Sequence, residues 1–262
     1  MVQYIRAMLF DRSKYFLGVF IGLFVYPIMY MQAKKIRRDF PDLPEAKEPQ
    51  GEAGQGPKLN LLLMGESSIA GVGVEVHSDS ICGQIADELA RLQACHVNWQ
   101  VVAKSGYTAE KVLKKLVKQV PDESFDLIVI GLGGNDTFQV STPWFWKRSM
   151  LQLVEALHEK QPQAKIAVTC MPPVHTFTAF PGLLKFFLGG LTKLHGREVR
   201  RLARRLDYLH YFDYVITLED WIGRYEAAKE PDDFFSDGVH PSALTYEIWG
   251  KETAQFLHRS VL

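Results

Sequence analysis

The chain has 262 residues, of which 47% are hydrophobic, so it is long enough for one sizeable α/β domain with a short extension. Its 30 basic and 30 acidic residues cancel, and this balance argues against a nucleic acid as the partner. Cys82, Cys95 and Cys170 are an odd number without the spacing of a zinc site. They predict buried free thiols, with a Cys82–Cys95 disulfide as the alternative.

The N-terminal segment differs from the rest of the chain, because no charged residue occurs between Tyr15 and Ala33. This stretch lies near the lower limit for a membrane span, which needs about 20 apolar residues. We predict a retained membrane anchor over residues 1–38. The alternatives are a cleaved signal peptide of an exported protein and a buried core helix, and the charge-free length argues against the core helix. Basic residues flank the segment on both sides, so the cytoplasmic side is favoured only slightly for the folded domain.

Residues 39–57 are rich in Pro, Gly, Glu and Gln and have no apolar periodicity. This composition is typical of a flexible linker. We therefore expect the folded domain to occupy residues 58–262.

From residue 58 onward, apolar runs alternate with stretches of helical periodicity. Strands are predicted at Leu59–Met64, Val97–Ala103, Phe125–Leu132, Lys165–Cys170 and, more weakly, Tyr208–Phe212. Helices are predicted at Ile81–Leu92, Ala109–Val120, Trp144–Lys160, Leu191–Leu206 and Ser242–Leu257. This alternation predicts a three-layer α/β/α sandwich around a five-stranded parallel sheet.

Polar or glycine-containing loops follow three of the predicted strands. Ser67, Gly106 and Asn135 each come just after a strand end, where an α/β sheet binds its ligands. Ser67 alone would be read as an ordinary turn or N-cap serine, and Ser68 is a neighbouring candidate. Ile69 stands where the nucleophile elbow of α/β-hydrolases needs glycine, which disfavours that family. Val76 likewise replaces the third glycine of a dinucleotide-binding fingerprint, so we discount such a cofactor.

Asp237 and His240 form a D-x-x-H pair near the C-terminus. This spacing lets a turn place a carboxylate against one imidazole nitrogen while the other nitrogen faces a nucleophile. An Asp-Gly turn with a packing histidine is the plainer interpretation. Asp232 and Asp233 with this pair also suggest a metal site, but acidic residues in a polar loop are more often simply solvated.

Two further residues have the properties of oxyanion donors. The Asn135 amide follows a strongly apolar strand and can donate to a developing negative charge, although Gly-Gly-Asn is also ordinary turn chemistry. The Gly106 backbone N–H can be a second donor, since the missing side chain lets a substrate approach.

Four short motifs of this chain resemble the four sequence blocks of the SGNH, or GDSL, hydrolase family, in the same order and with strand-length gaps between them. The motifs are Gly65-Glu66-Ser67, Gly106, Gly133-x-Asn135 and Asp237-x-x-His240. The resemblance extends from about Leu59 to Leu257. It implies a flavodoxin-like sandwich and serine ester hydrolysis without a metal or cofactor. It also assigns the roles that follow. Ser67 is the nucleophile and an oxyanion donor, Gly106 and Asn135 are the other donors, His240 is the base and Asp237 orients it. One residue departs from the family, because Glu66 stands where an aspartate is usual.

An aromatic-rich stretch lies between Met171 and His195 and is too apolar for an exposed connection. Phe177, Phe180, Leu184 and Phe187 are candidates for an acyl-chain groove, with a helix packed on the sheet as an equally good interpretation. Arginines follow on a helix and are more simply explained as a solvated face than as contacts to lipid headgroups. They are Arg197, Arg200, Arg201, Arg204 and Arg205.

Three functions are compatible with these features. We favour a membrane-associated carboxylester hydrolase of the lipase, lysophospholipase or acyl-esterase type. The second is an O-acetyl esterase acting on carbohydrate or cell-envelope glycans, with the aromatic stretch stacked on sugar rings. The third is a non-catalytic, membrane-tethered binding module in which Glu66 marks a degraded site.

Overall fold

The structure is a computed structural model that describes residues 2–39, 41–225 and 230–262. These residues form a six-stranded sheet in the order β1-β3-β2-β4-β5-β6. The strands are β1 (Gln50–Gly54), β2 (Lys58–Gly65), β3 (His96–Ala103), β4 (Leu127–Gly131), β5 (Lys165–Val168) and β6 (Leu209–Tyr211). Strands β2 to β6 are parallel, whereas β1 is antiparallel to β3.

Helices cover both faces of this sheet. They are α1 (Val2–Asp39), α2 (Ile81–Gln93), α3 (Ala109–Lys115), α4 (Gly134–Phe138), α5 (Pro143–Lys160), α6 (Gly182–Ala203), α7 (Leu218–Arg224) and α8 (Ala243–Ser260). α2, α7 and α8 contribute to the core on one face, and α3, α5 and α6 to the core on the other. The predicted three-layer α/β/α architecture is confirmed.

The two central strands explain why the layers form. β2 and β4 have helices on both faces, so their sequences are continuous apolar runs rather than alternating ones. Leu61 and Leu63 point into the core on the α2 and α8 side, while Leu62 and Met64 point into the opposite core. All four side chains are fully buried.

Strand β1 shows that two predictions were wrong, the flexible linker over residues 39–57 and the sheet of five strands. Residues within 39–57 form this strand, which pairs with β3 from Gln50–Gln100 to Gly54–His96. Upstream of it, the Ala46 N–H donates to the Ala70 carbonyl at 2.9 Å. Composition misleads here because β1 is stabilised mainly by hydrogen bonds to β3, and Ala53 is its one side chain in the core. The sheet therefore has an antiparallel edge strand in addition to the five parallel strands predicted.

The predicted N-terminal apolar helix is present as α1. Its 38 residues correspond to about 57 Å at 1.5 Å per residue. An 18-residue window within Phe10–Arg38 has a mean hydropathy of 1.7, and this part of α1 is long enough to cross a membrane, a property that a signal sequence would share.

Two further expectations are refined. α6 begins at Gly182 instead of near Leu191, so it includes much of the aromatic-rich stretch. Cys82, Cys95 and Cys170 are all buried and free, as predicted, and the alternative disulfide is absent among them.

Candidate active site

The sheet topology brings three loops together. β2 has β3 on one side and β4 on the other, so the direction of winding reverses between these two connections. Ligands of doubly wound sheets bind outside the carboxyl ends of the strands at such a point. Ser67 follows β2, Gly106 follows β3 and Asn135 follows β4, and all three line one cavity.

Ser67 lies in a tight turn directly after β2. The Ala70 N–H donates to the Glu66 carbonyl at 2.8 Å, and the Val72 N–H donates to the Ser67 carbonyl at 3.0 Å. The turn leaves Ser67 and Ser68 half-buried, and both line the cavity.

His240 also lines this cavity, and its position is fixed by Asp237. The His240 Nδ1 lies 2.7 Å from Asp237 Oδ2, while Asp237 Oδ1 accepts the N–H groups of Val239 at 3.0 Å and His240 at 2.7 Å. The Asp237 side chain has no exposed surface. Every oxygen of this carboxylate is thus occupied, and the imidazole is fixed in one orientation.

The charge on Asp237 determines the histidine tautomer. Burial raises the pKa of Asp237, but the hydrogen bonds from His240 and Val239 outweigh burial and hold the pKa below its usual value. An ionised carboxylate only accepts hydrogen bonds, so Nδ1 carries the proton and Nε2 is left with its lone pair. The imidazole is therefore prepared to accept a proton at Nε2.

Asn135 and Gly106 line the same cavity. The Asn135 Nδ2 donates to the Tyr107 carbonyl at 3.2 Å, which orients the amide and leaves its second N–H for another acceptor. Gly106 has a φ of +78°, and a Cβ there would meet nothing within 4 Å. This left-handed conformation favours glycine. The open space beside its Cα leaves room for a substrate.

Glu66 connects the serine loop to the asparagine loop. It is 3% exposed, and its two oxygens accept the N–H groups of Gly134 and Asn135, each at 2.7 Å. Both N–H groups belong to the first turn of α4, where backbone N–H groups have no hydrogen-bond partner within the helix. Although Glu66 is longer than the aspartate usual at this position, its carboxylate binds two backbone N–H groups and holds Asn135 in place.

Glu66 also gives fold stability a pH dependence. Burial raises the pKa of Glu66 to about 7 despite the two N–H donors. A raised pKa means that the stabilising contribution is complete below the unfolded pKa near 4.5 and is lost as the pH rises toward 7. We expect the unfolding free energy of wild type minus that of Glu66→Gln to fall by about 3 kcal/mol between pH 4.5 and 7.

Chemical denaturation of both proteins across this pH range measures that difference. Other titrating groups are shared and cancel in the subtraction. A difference that stays constant with pH would contradict the raised pKa.

The remaining wall of the cavity is largely apolar. The cavity has a volume of about 840 Å³. Of the four candidates for an acyl-chain groove, Phe177, Phe180 and Leu184 line this cavity, whereas Phe187 lies outside it and packs toward Gly22 of α1. Leu188 of the same aromatic-rich stretch also lines the cavity. Other wall residues come from segments that sequence reasoning did not connect with the site. They are Ile36, Phe138, Trp221, Phe234 and Trp249.

Neither explanation for the arginine-rich part of α6 is sufficient. Arg197 and Arg201 form ion pairs with Asp11 of α1, and Arg200 pairs with Asp213. Arg200, Arg204 and Arg205 are exposed, as a solvated face would be, whereas Arg201 is buried. Among the described residues, no group of three or more His, Cys, Asp and Glu side chains is placed to hold a metal ion.

The fold and sequence have known relatives. TesA is 18% identical, with 76% of this chain and 97% of TesA covered at a TM-score of 0.57. The lipase/acylhydrolase from Enterococcus faecalis is 20% identical, with 76% and 95% covered at 0.53. A family two carbohydrate esterase from Clostridium thermocellum is 14% identical, with 78% and 64% covered at 0.53. No curated protein has a significantly similar sequence.

The model of the GDSL-like Lipase/Acylhydrolase family matches residues 63–248, which is more than half of the chain. The matched region contains Ser67, Gly106, Asn135, Asp237 and His240. The chain therefore belongs to the GDSL-like lipase/acylhydrolase family.

Proposed function

We propose that the protein is a serine ester hydrolase that acts on acyl esters at a membrane. The observation that carries this proposal is the buried Asp237 carboxylate on Nδ1 of His240, with the imidazole facing the cavity that Ser67 also lines. Family membership independently favours ester hydrolysis.

In the first half of the reaction, His240 Nε2 takes the proton of Ser67 as Oγ attacks the ester carbonyl carbon. The new C–O bond forms while the carbonyl π electrons move to oxygen and give a tetrahedral oxyanion. The intermediate collapses, the C–O bond to the alcohol breaks, and His240 returns the proton to the leaving alcohol. Asp237 stabilises the transient imidazolium without itself taking the proton.

In the second half, water attacks the acyl-serine while His240 accepts its proton. The acid leaves when the bond to Ser67 Oγ breaks and His240 returns the proton to that oxygen. The Asn135 amide and the N–H groups of Ser67 and Gly106 stabilise the oxyanion in both halves. Glu66 acts as a positioning residue, since it fixes the backbone at Asn135.

The apolar wall favours an acyl chain as the group on the carbonyl side. Pockets that bind such ligands are mainly apolar with a few polar groups, and this cavity has both kinds of lining residue. We further propose that α1 keeps the enzyme at the membrane.

A panel of p-nitrophenyl esters from acetate to palmitate tests the substrate class in the full chain. We expect kcat/KM to increase beyond butyrate. A profile that peaks at acetate and collapses beyond butyrate would instead support the O-acetyl esterase. Failure of a fluorophosphonate to label Ser67 in folded protein would support the non-catalytic binding module.

Replacing the proposed oxyanion donor gives a graded effect. Asn135→Ala removes one side-chain donor while Glu66 keeps its contacts to the backbone N–H groups. We expect kcat to fall by about 10²- to 10³-fold, which corresponds to roughly 3 kcal/mol of transition-state stabilisation.

Steady-state kinetics with a short ester measures this loss. Labelling of Ser67 should remain detectable, which separates loss of the donor from loss of the fold. Unchanged kcat would remove Asn135 from the mechanism.

A further inference from the structure

The catalytic cavity is bounded partly by the N-terminal helix. Ala33, Ile36 and Arg37 of α1 line the same cavity as Ser67 and His240. Leu184 and Leu188 of α6 lie on this cavity as well. The cavity is therefore bordered by two helices, one of which is long and apolar enough to cross a membrane.

α1 is held against α6 along much of its length. Asp11 pairs with Arg197 and Arg201 near the C-terminal end of α6, and the Asp11 and Arg201 side chains are almost buried. Eleven residues further along α1, a Cβ on Gly22 would lie 3.6 Å from Phe187 near the start of α6. The two helices are thus antiparallel, and the seam between them leads toward the cavity.

A second contact fixes α1 to α5. The Tyr15 ring lies 5.0 Å from the Trp144 ring, centroid to centroid, in an edge-to-face arrangement. Together with the ion pairs, this contact makes α1 part of the folded domain rather than a separate tether. Breaking a buried ion pair by removing one partner is costly, so these contacts define the position of the helix.

The outer side of the helix pair is apolar and exposed. Phe24 of α1 is 74% exposed and Phe186 of α6 is 73% exposed. Large apolar side chains exposed to this extent are typical of a membrane contact. Lys34, Lys35 and Arg38 are exposed at the end of α1 nearest the cavity, where basic side chains can meet anionic headgroups.

We propose that α1 is retained as a wall of the substrate-binding cavity, and that the acyl chain of a membrane lipid ester enters the cavity from the bilayer along the seam between α1 and α6. This proposal rests on the ester hydrolase function. It identifies the substrate class as long-chain acyl amphiphiles and adds Ile36 to the residues that contact the acyl chain.

A bulky side chain on the α1 wall tests this proposal in the full chain. Ile36→Trp narrows the cavity, whereas Leu23→Trp places the same side chain on a position that is 68% exposed and outside the cavity. The substrates are p-nitrophenyl butyrate and p-nitrophenyl palmitate carried in phosphatidylcholine vesicles. We expect Ile36→Trp to lower the palmitate-to-butyrate ratio of kcat/KM at least tenfold, and Leu23→Trp to leave it unchanged.

Cysteine protection gives a second measurement that does not depend on turnover. Ile36→Cys and Leu23→Cys add a thiol to a chain whose own cysteines are all buried. Alkylation of Cys at position 36 should slow at least tenfold after Ser67 reacts with a hexadecyl fluorophosphonate, but not after a methyl one. The thiol at position 23 should react at the same rate in both cases.

The outcomes separate this proposal from the proposed function. Equal ratios for the two tryptophan variants, or no protection at position 36, would overturn the role of α1 while Ser67-dependent hydrolysis stands. A wild-type protein that neither reacts with fluorophosphonate nor hydrolyses any ester would overturn both.

Discussion

Ser67→Ala is expected to lower kcat for ester hydrolysis by roughly 10⁵- to 10⁶-fold. The substitution removes the hydroxyl that forms the acyl intermediate. Rates with p-nitrophenyl butyrate, followed at high enzyme concentration, measure the loss. Labelling by a fluorophosphonate should disappear in parallel.

Ser68→Ala is the matched control, since Ser68 is the next residue in the turn and also lines the cavity. It should retain most of its activity and its labelling. A reversed result, with Ser67→Ala active and Ser68→Ala inactive, would move the nucleophile by one residue and leave the rest of the site as described.

Asp237→Asn is expected to lower kcat by about 10⁴-fold while the protein remains folded. The new carbonyl oxygen can still accept the N–H groups of Val239 and His240, but an NH₂ group then faces the His240 Nδ1. Nδ1 must become an acceptor, so the proton moves to Nε2, the atom that has to take the proton of Ser67. The tautomer is wrong even though the geometry is kept.

Asp232→Asn is the control for this change, because Asp232 lies in the same loop region but is exposed to solvent. Steady-state kinetics and a melting curve on both variants provide the comparison. If Asp237→Asn retained wild-type kcat, the Asp237 contact would be structural and the assignment of the base would fail.

The parallel strands could be predicted from sequence because a strand that is buried on both faces is a continuous run of apolar residues. The run from Leu61 to Met64 has no polar residue, since each side chain enters one of the two cores. Parallel strands also end at a common edge, so residues that follow different strands can be predicted to meet. Ser67, Asn135 and Gly106 are predicted to meet in this way, and the spacing from Asp237 identifies His240.

Other parts of the site have no recognisable pattern in the sequence. The role of Glu66 depends on N–H groups of Gly134 and Asn135, and backbone donors are the same for every residue type. The contact of Ile36 with the cavity depends on how α1 packs against α6. The Asp11–Arg201 ion pair that fixes this packing joins residues far apart in the chain, and sequence reasoning assigned those arginines to solvent.

Strand β1 has a practical consequence for handling the protein. A chain shortened to begin at Lys58 would lack β1 and would leave the outer row of β3 amide and carbonyl groups without partners. Unprotected rows of this kind recruit strands from other molecules, and the shortened chain would self-associate. A chain that starts at Pro41 keeps this row covered, but it removes α1 and with it the Asp11 partner of Arg197 and Arg201.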